Sequence, residues 1–476
     1  MTDAASTDTV SIRHPTLRLA ASSLLAPLGL GLLLRFLLLI LAGSAQPIYD
    51  EASYVRNAQV LSRTWGYDDV WPPGYPFIIA LGFRFFGAEC LHFVRLFQVF
   101  CSITIGFGIV QMSHMLFGVR GALISGYAWA LYLPLAFYTH RLWPETLTLT
   151  LLVPAVYLLC SYSQAKDSPS RGRSMLVCAG VLFGLSLYMK EVHTYLAIPL
   201  AFWLMGWPPR RVRRALLFPL SVLLVLLPLT ARNYKHYGRF VLIGATLDAN
   251  IRWGLNSFYF NHDYNRDPLM PYRIHTKADG SRDFVRRNFM AYGQGWKLSA
   301  ERDIIERTRE DIEAALRYAV ANRGRFLLTR IKKVADFVTP LSFLVRDLVP
   351  EVYSGVLVWK WVRRSVICLG LGSVMILLPV GWVNLIRLRY RRREFVLFVL
   401  ILGYFAGCAL LVSMSRYRIP VVPYLLILAG GSVVRRTVES GAVVTVMLSA
   451  AGLVVLAALW ALNFAEVCAV VSRSWG

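Results

Sequence analysis

The feature that most limits what this chain can become is a succession of long apolar runs, set apart by short polar pieces, along most of its 476 residues. Crossing a ~30 Å hydrocarbon core takes roughly 20 apolar residues in a helix. Runs near that length occupy 24–44, 93–117, 120–138, 144–162, 175–189, 194–207, 215–230, 365–386, 395–413, 419–434 and 441–462. Lipid offers no partner to a free backbone N–H or C=O, so such runs must close their hydrogen bonds internally, as helices do. The sequence therefore predicts an all-α polytopic membrane protein with about eleven transmembrane helices. Charged residues make up only 16% of the chain, against about a quarter in a soluble protein, and this excludes a soluble globular domain.

The formal charge of +24 would suit nucleic acid only if the basic residues gathered on one soluble face. Instead they lie in short clusters between the apolar runs, as in cytoplasmic loops of membrane proteins, so no nucleic-acid partner is expected. The seven cysteines fall mostly inside apolar segments without metal-ligand spacing and read as small hydrophobes. The first apolar run follows Arg13 and Arg18 and precedes Gly43, Ser44 and Ala45, like a cleavable signal. It exceeds the usual 7–15 apolar residues of one, so it is expected to be a retained anchor. Tyr75 to Glu89 is apolar but short and carries Arg84, which predicts an interfacial helix. With that segment not crossing and the N-terminus cytoplasmic, seventeen Lys and Arg fall in inside pieces and seven in short outside ones, as the positive-inside rule requires.

One long polar interval, 231–364, falls outside. Its first part is rich in turn-forming Asn, Asp and Gly, among them Asn250, Asn261, Asp263 and Gly280. Its second part, about Ser299 to Val338, carries Ile304, Ile305, Ile312, Ala315, Leu316, Ala319 and Val320 at helical spacing. An amphipathic helix packed as a lid on the membrane face is expected there. The organisation is thus an N-terminal transmembrane module, 1–230, with a first external loop at 45–92; the external loop 231–364; and C-terminal transmembrane helices, 365–476. No internal repeat is evident.

The candidate chemistry lies at the outer ends of the runs. Asp50 and Glu51 leave the first span together, with Tyr54 one turn on and Asp68 and Asp69 beyond. His140, Arg141 and Glu145 precede the fourth span or open it; Lys190, Glu191 and His193 lie between the fifth and sixth; Arg416, Tyr417 and Arg418 lie between the ninth and tenth. Charges of both signs therefore converge on one interface, where ionisable residues are functional candidates. Lys and Arg there suit a phosphate, and carboxylates suit removal of a hydroxyl proton. Arg35, inside the first span, must face the protein or a wet cavity. Asp50, Glu51, Asp68 and Asp69 offer oxygen ligands for Mg²⁺ or Mn²⁺, but neither a metal nor another cofactor is the favoured reading.

These residues, in order, resemble a known family. Arg35, Asp50-Glu51 with Tyr54, Pro-Pro-Gly-Tyr-Pro at 72–76, Phe117-Gly118 before Arg120, Pro144-Glu145, Gly184-Leu185 before Lys190, Arg232-Asn233-Tyr234 and Arg-Tyr-Arg-Ile-Pro at 416–420 are similar to the polyprenyl-phosphate-sugar-dependent glycosyltransferases of the GT-C class. That class includes protein O-mannosyltransferases and the aminoarabinose transferase of lipid A. The resemblance implies a GT-C-like bundle in the cytoplasmic (inner) membrane, with its active site facing the exterior. It implies transfer of a sugar, with inversion, from a polyprenyl-phosphate donor in the membrane lipid to a hydroxyl of an envelope lipid, glycan or protein. By the same resemblance Asp50 is the general base, Glu51 positions it or the sugar, Glu145 assists at the sugar, and Lys190 and Arg416, with Arg418, hold the phosphate; Tyr54, Arg35, His140, Arg141, His193 and Arg232 join the substrate-binding set. Unlike the protein O-mannosyltransferases, the chain has its soluble part in an internal loop. Two other readings stay open: a transporter or flippase of a lipid-linked substrate, for which Arg35 speaks, and an envelope polymerase or ligase working through His262 or His275.

Overall fold

The computed structural model describes residues 15–42, 47, 50–64, 66–67, 71–164, 169–205, 212–237, 240–244, 272–276, 282–286, 313, 316–317, 319–321, 323–348, 360–388, 393–411, 413–433 and 442–475. Asp68, Asp69, His262, the Asn- and Asp-rich stretch and Ile304, Ile305, Ile312 and Ala315 lie outside these residues. Of His275 only the backbone is described, in a two-stranded antiparallel hairpin, β1 (Tyr272–Thr276) with β2 (Arg282–Arg286), in which it faces Asp283. That hairpin is the non-helical addition to an otherwise helical set of described elements.

In chain order the helices are α1 (Pro15–Ala42), α2 (Asp50–Thr64), α3 (Gly74–Phe86), α4 (Cys90–Leu131), α5 (Leu133–Phe137), α6 (Glu145–Gln164), α7 (Pro169–Met189), α8 (Ala197–Met205), α9 (Val212–Ala215), α10 (Leu217–Tyr237), α11 (Arg323–Val338), α12 (Phe343–Asp347), α13 (Lys360–Leu388), α14 (Arg393–Leu411), α15 (Val422–Gly430), α16 (Ala442–Ala461) and α17 (Phe464–Trp475). Eight helical stretches are long and apolar enough to cross a membrane. The stretch Val443–Ala461 has none of its residues buried, and Val443, Met447 and Val454 are all exposed on it. Contiguous apolar surface of that extent requires a lipid or protein covering, and the protein is a multi-pass membrane protein.

The eight stretches and the eleven predicted runs are reconciled at three places. The 42 residues of α4 are two arms: Gly118 has φ 72° and ψ −169°, a conformation reserved for glycine, and reverses the chain. Beyond it Trp129 packs on Gly106 and Ser125 Oγ donates to Ser113 Oγ at 2.9 Å, so the arms run antiparallel, as the separate runs 93–117 and 120–138 predict. The runs 194–207 and 419–434 are shorter helices, α8 and α15, entered through 3-10 turns at Glu191–Leu196 and Ser415–Val421.

The predicted interfacial segment forms α3 and a closing 3-10 turn, Gly87–Glu89. Pro73 and Pro76 frame its first turn, where the missing N–H costs nothing, and the Phe77 amide reaches Pro73 O at 2.9 Å. A Cβ on Gly74 would stand 2.6 Å from Tyr188 O, so only glycine lets α3 start against the end of α7. Asp50 and Glu51 occupy the first turn of α2, where carboxylates complement the helix dipole. The starts of α2 and α6, the end of α7 and the segment after α14 thereby meet on one face of the bundle.

Candidate functional site

The meeting point is Arg416. Its Nη1 donates to Asp50 Oδ2 at 2.6 Å, its Nε to Glu145 Oε1, and its Nη2 to Glu145 Oε2 at 3.3 Å. Lys190 Nζ donates to the same Glu145 Oε1 at 2.6 Å. Trp143 lays its indole 4.3 Å from Arg416 Cζ, and the Tyr417 ring lies 5.1 Å from Lys190 Nζ. Four helix ends, far apart in sequence, thus contribute two cations and two carboxylates to one cluster. Burial opposes the charge on Arg416, but Glu145 and then Asp50 outweigh it and hold the guanidinium well above its usual value. Lys190 moves the other way: burial, reinforced by Arg416, lowers its ammonium below the usual lysine range despite Glu145.

The two carboxylates differ in access. The Glu145 side chain is 1% exposed and the Asp50 side chain 41%. Adjacent residues in a helix point about 100° apart, so Asp50 reaches the open side while Glu51 enters the protein. There Glu51 Oε1 accepts from the Leu142 amide at 2.7 Å and pairs with Arg141 Nε at 3.0 Å. Tyr54, one turn along α2, packs on Trp71 and Tyr75 at ring separations of 5.6 and 5.3 Å. Burial raises its phenol well above the usual value, so it serves the site as a neutral wall.

The turn 138–144, which carries Arg141 and leads to Glu145, is clamped from α4. Gln98 Nε2 donates to Thr139 O at 3.1 Å and Arg141 O at 2.9 Å, Arg95 Nε donates to His140 O at 3.0 Å, and Tyr75 Oη donates to Gln98 Oε1 at 3.1 Å. Thr146 Oγ1 closes the turn on Tyr138 O at 2.8 Å. Sequence reasoning missed Arg95, Gln98 and Trp143. The signal was present for the first two, since a Gln and an Arg three residues apart on one face of an apolar run are costly unless they are used.

Several predicted residues sit elsewhere. Arg35 does face the interior, as expected: it is fully buried, donates to Gly31 O of its own helix at 2.9 Å and stacks 4.0 Å from the Trp129 ring. Burial, then Arg141 and Arg95, push the His140 imidazole down to about 3, and it packs edge-on against Phe137. His193 is likewise held at about 3 by burial and then Lys190, with Nε2 2.7 Å from Ser186 Oγ behind the site. Both imidazoles are therefore neutral at physiological pH. Arg232 lies over Tyr67 and bonds Asn233 Oδ1 at 3.0 Å. Arg418 turns away to donate to Phe337 O and Thr339 O at 3.0 and 2.7 Å. Among the described residues no group of three His, Cys, Asp or Glu converges as a metal cage.

Residues 70–233 match the model of the dolichyl-phosphate-mannose-protein mannosyltransferase family, a stretch that contains Glu145 and Lys190 but is under half of the chain. No curated relative matches at the sequence level. Among solved structures, the chain is similar to ArnT from Cupriavidus metallidurans bound to undecaprenyl phosphate, at 13% identity and TM-score 0.46, over 96% of this chain and 74% of that one. It is also similar to the archaeal oligosaccharyltransferase AglB from Archaeoglobus fulgidus, in complex with an inhibitory peptide and a dolichol-phosphate. That match has 12% identity and TM-score 0.47, over 95% of this chain and 56% of that one. What these comparisons establish is thus a family likeness confined to residues 70–233, the part of the chain that carries α3 to α9 and most of α10.

Proposed function

We propose that this protein is a membrane glycosyltransferase that moves a sugar from a polyprenyl-phosphate donor to a hydroxyl of an envelope lipid, glycan or protein. The site works at the outer face of the cytoplasmic membrane, with the N-terminus inside and the long interval 231–364 outside. The module 1–230 supplies Asp50, Glu145 and Lys190, and the helices of 365–476 supply Arg416. The observation that carries the reading is the pairing of a half-exposed Asp50 with a buried Arg416 that Glu145 and Lys190 hold in place.

The chemistry follows from that difference in access. An incoming phosphate competes with Asp50 for Arg416 Nη1, because Asp50 is the solvent-facing partner and Glu145 is not. Its displacement frees the carboxylate as a general base at the moment the donor is seated. Asp50 then takes the proton of the acceptor hydroxyl, the acceptor oxygen bonds to the anomeric carbon, and the carbon–oxygen bond to phosphate breaks with its electron pair on the polyprenyl phosphate. Arg416 and Lys190 stabilise the charge that grows on that leaving group, usually the largest single contribution in such a site. Glu51 holds the start of α2 through Leu142 and Arg141, and Glu145 fixes the cations.

The test is made in cells. With the gene deleted, wild type restored, or Asp50→Asn restored at equal membrane abundance, envelope glycans are profiled by mass spectrometry. One sugar is expected to vanish on deletion, return with wild type and stay absent with Asp50→Asn, since a general base contributes about 10²- to 10⁴-fold. Full restoration by Asp50→Asn removes Asp50 from that role.

The depressed Lys190 ammonium gives a pH prediction. Its proton leaves below the ~10.4 of a free lysine, so the positive charge facing phosphate disappears as pH rises through that lower value. Binding of undecaprenyl phosphate to the protein in nanodiscs is expected to weaken on the alkaline side, whereas Lys190→Arg, charged at all these pH values, keeps it. Identical alkaline limbs for the two proteins argue against Lys190 as a phosphate ligand.

A further inference from the structure

Outside the charged cluster, buried cations gather again where α11 meets the transmembrane helices. Arg330 Nη1 donates to Leu410 O at 2.8 Å and Lys333 Nζ donates to Leu411 O, the last two carbonyls of α14. Helix ends leave such carbonyls without intrahelical partners, and their negative dipole favours cations. Five residues beyond Leu411 the chain reaches Arg416 through Ser413 and Met414, which are not helical. Past Arg416, Arg418 Nη1 returns the bond in kind, donating to Phe337 O and Thr339 O at the end of α11.

The chain is therefore tied to α11 on both sides of Arg416. The other side of α11 is itself anchored: Lys332 bonds Asp336 and Asn463, and Trp460 Nε1 donates to Val338 O at 2.8 Å. Glu466 of α17 pairs with Arg346 at 2.7 Å. Arg330 and Lys333 of α11 are buried, while Leu327 and Leu328 are exposed. Leu316 and Val320, two of the described residues of the predicted apolar stripe, are exposed too. An exposed apolar face with buried cations is explained if the cations have a task at the α14 end.

We infer that Arg330 and Lys333 are positioning residues for Arg416: with Arg418 they form a reciprocal pair of helix-end caps that sets where the phosphate-facing guanidinium stands. The inference deepens the transferase reading, on which its functional half rests. It also gives the external interval a purpose at the site, because the only described helix longer than a turn between α10 and α12 is the one that holds this strap.

The test compares full-length protein in nanodiscs as wild type, Arg330→Gln with Lys333→Met, and Arg330→Lys with Lys333→Arg. Two quantities are read: amide hydrogen exchange of 413–418 with α6 as internal control, and the dissociation constant of undecaprenyl phosphate. The neutral pair is expected to speed exchange in 413–418 about tenfold while α6 is unchanged, and to weaken binding about tenfold, equivalent to 1.4 kcal/mol. The charged pair is expected to stay near wild type in both. If the neutral pair does not fold, Arg418→Met, which releases the return bonds, is read in the same way. Unchanged exchange in 413–418, or a charged pair as impaired as the neutral one, overturns the inference. If exchange responds as expected but wild type does not bind undecaprenyl phosphate, the strap stands and the transferase reading falls.

Discussion

Replacing Arg416 with methionine is expected to reduce sugar transfer by about 10²- to 10⁴-fold. Its guanidinium spans Asp50 and Glu145, and breaking a buried ion pair from one side costs about 3–5 kcal/mol, or two to almost four powers of ten if it appears in the barrier. Arg416→Lys keeps the charge but, as a compact ammonium, lacks the spread planar fork that reaches both carboxylates, so it should recover only part of the loss. Arg418→Met, acting through position alone, should cost about tenfold, in line with its bonds to Phe337 and Thr339. Initial rates on purified protein, with thermal stability measured in parallel, separate these cases. Equal losses at 416 and 418 would mean that both arginines touch substrate, against the geometry.

That contrast also shows where the sequence stopped being readable. The long apolar helices were legible because hydropathy and length are local properties, and even the reversal at Gly118 falls at a visible break, Phe-Gly-Val-Arg, between two apolar runs. Asp50, Glu145, Lys190 and Arg416 were legible because each is a charge at the end of such a run, where lipid makes idle charges costly. Which neighbour of a pair enters the site was not legible. Arg416 and Arg418 lie two residues apart in a 3-10 turn, and at three residues per turn they must point in different directions. The sequence holds no sign of which direction meets Glu145. The pairing of Arg330 and Lys333 with the end of α14 was hidden for a different reason: it joins residues about eighty positions apart through backbone carbonyls, which leave no trace in side-chain pattern. Of the apolar stripe in the interval 231–364, Leu316, Ala319 and Val320 lie among the described residues, and Leu316 and Val320 are exposed.

Glu51 is where structure and chemistry separate most sharply. Both it and Arg141 are 2% exposed at the side chain, so Glu51→Ala is expected to destabilise the protein by about 3–5 kcal/mol by taking away the carboxylate that compensates a buried guanidinium. The Leu142 amide also loses its acceptor, a further cost of about 1–3 kcal/mol. Glu51→Leu with Arg141→Met removes both charges at similar volume, and such replacements are often neutral or better for stability. The double variant should therefore be clearly more stable than Glu51→Ala, with a favourable coupling between the two positions. Transfer should not return with stability, because the start of α2 is then no longer tied to the 138–144 turn and Asp50 is free to drift from Arg416. Thermal unfolding and transfer rates of wild type, Glu51→Leu, Arg141→Met and the double variant, with Glu51→Ala beside them, give the answer. If stability and transfer recover together, Glu51 matters only for folding; if the singles equal wild type in stability, the buried pair does not hold the start of α2.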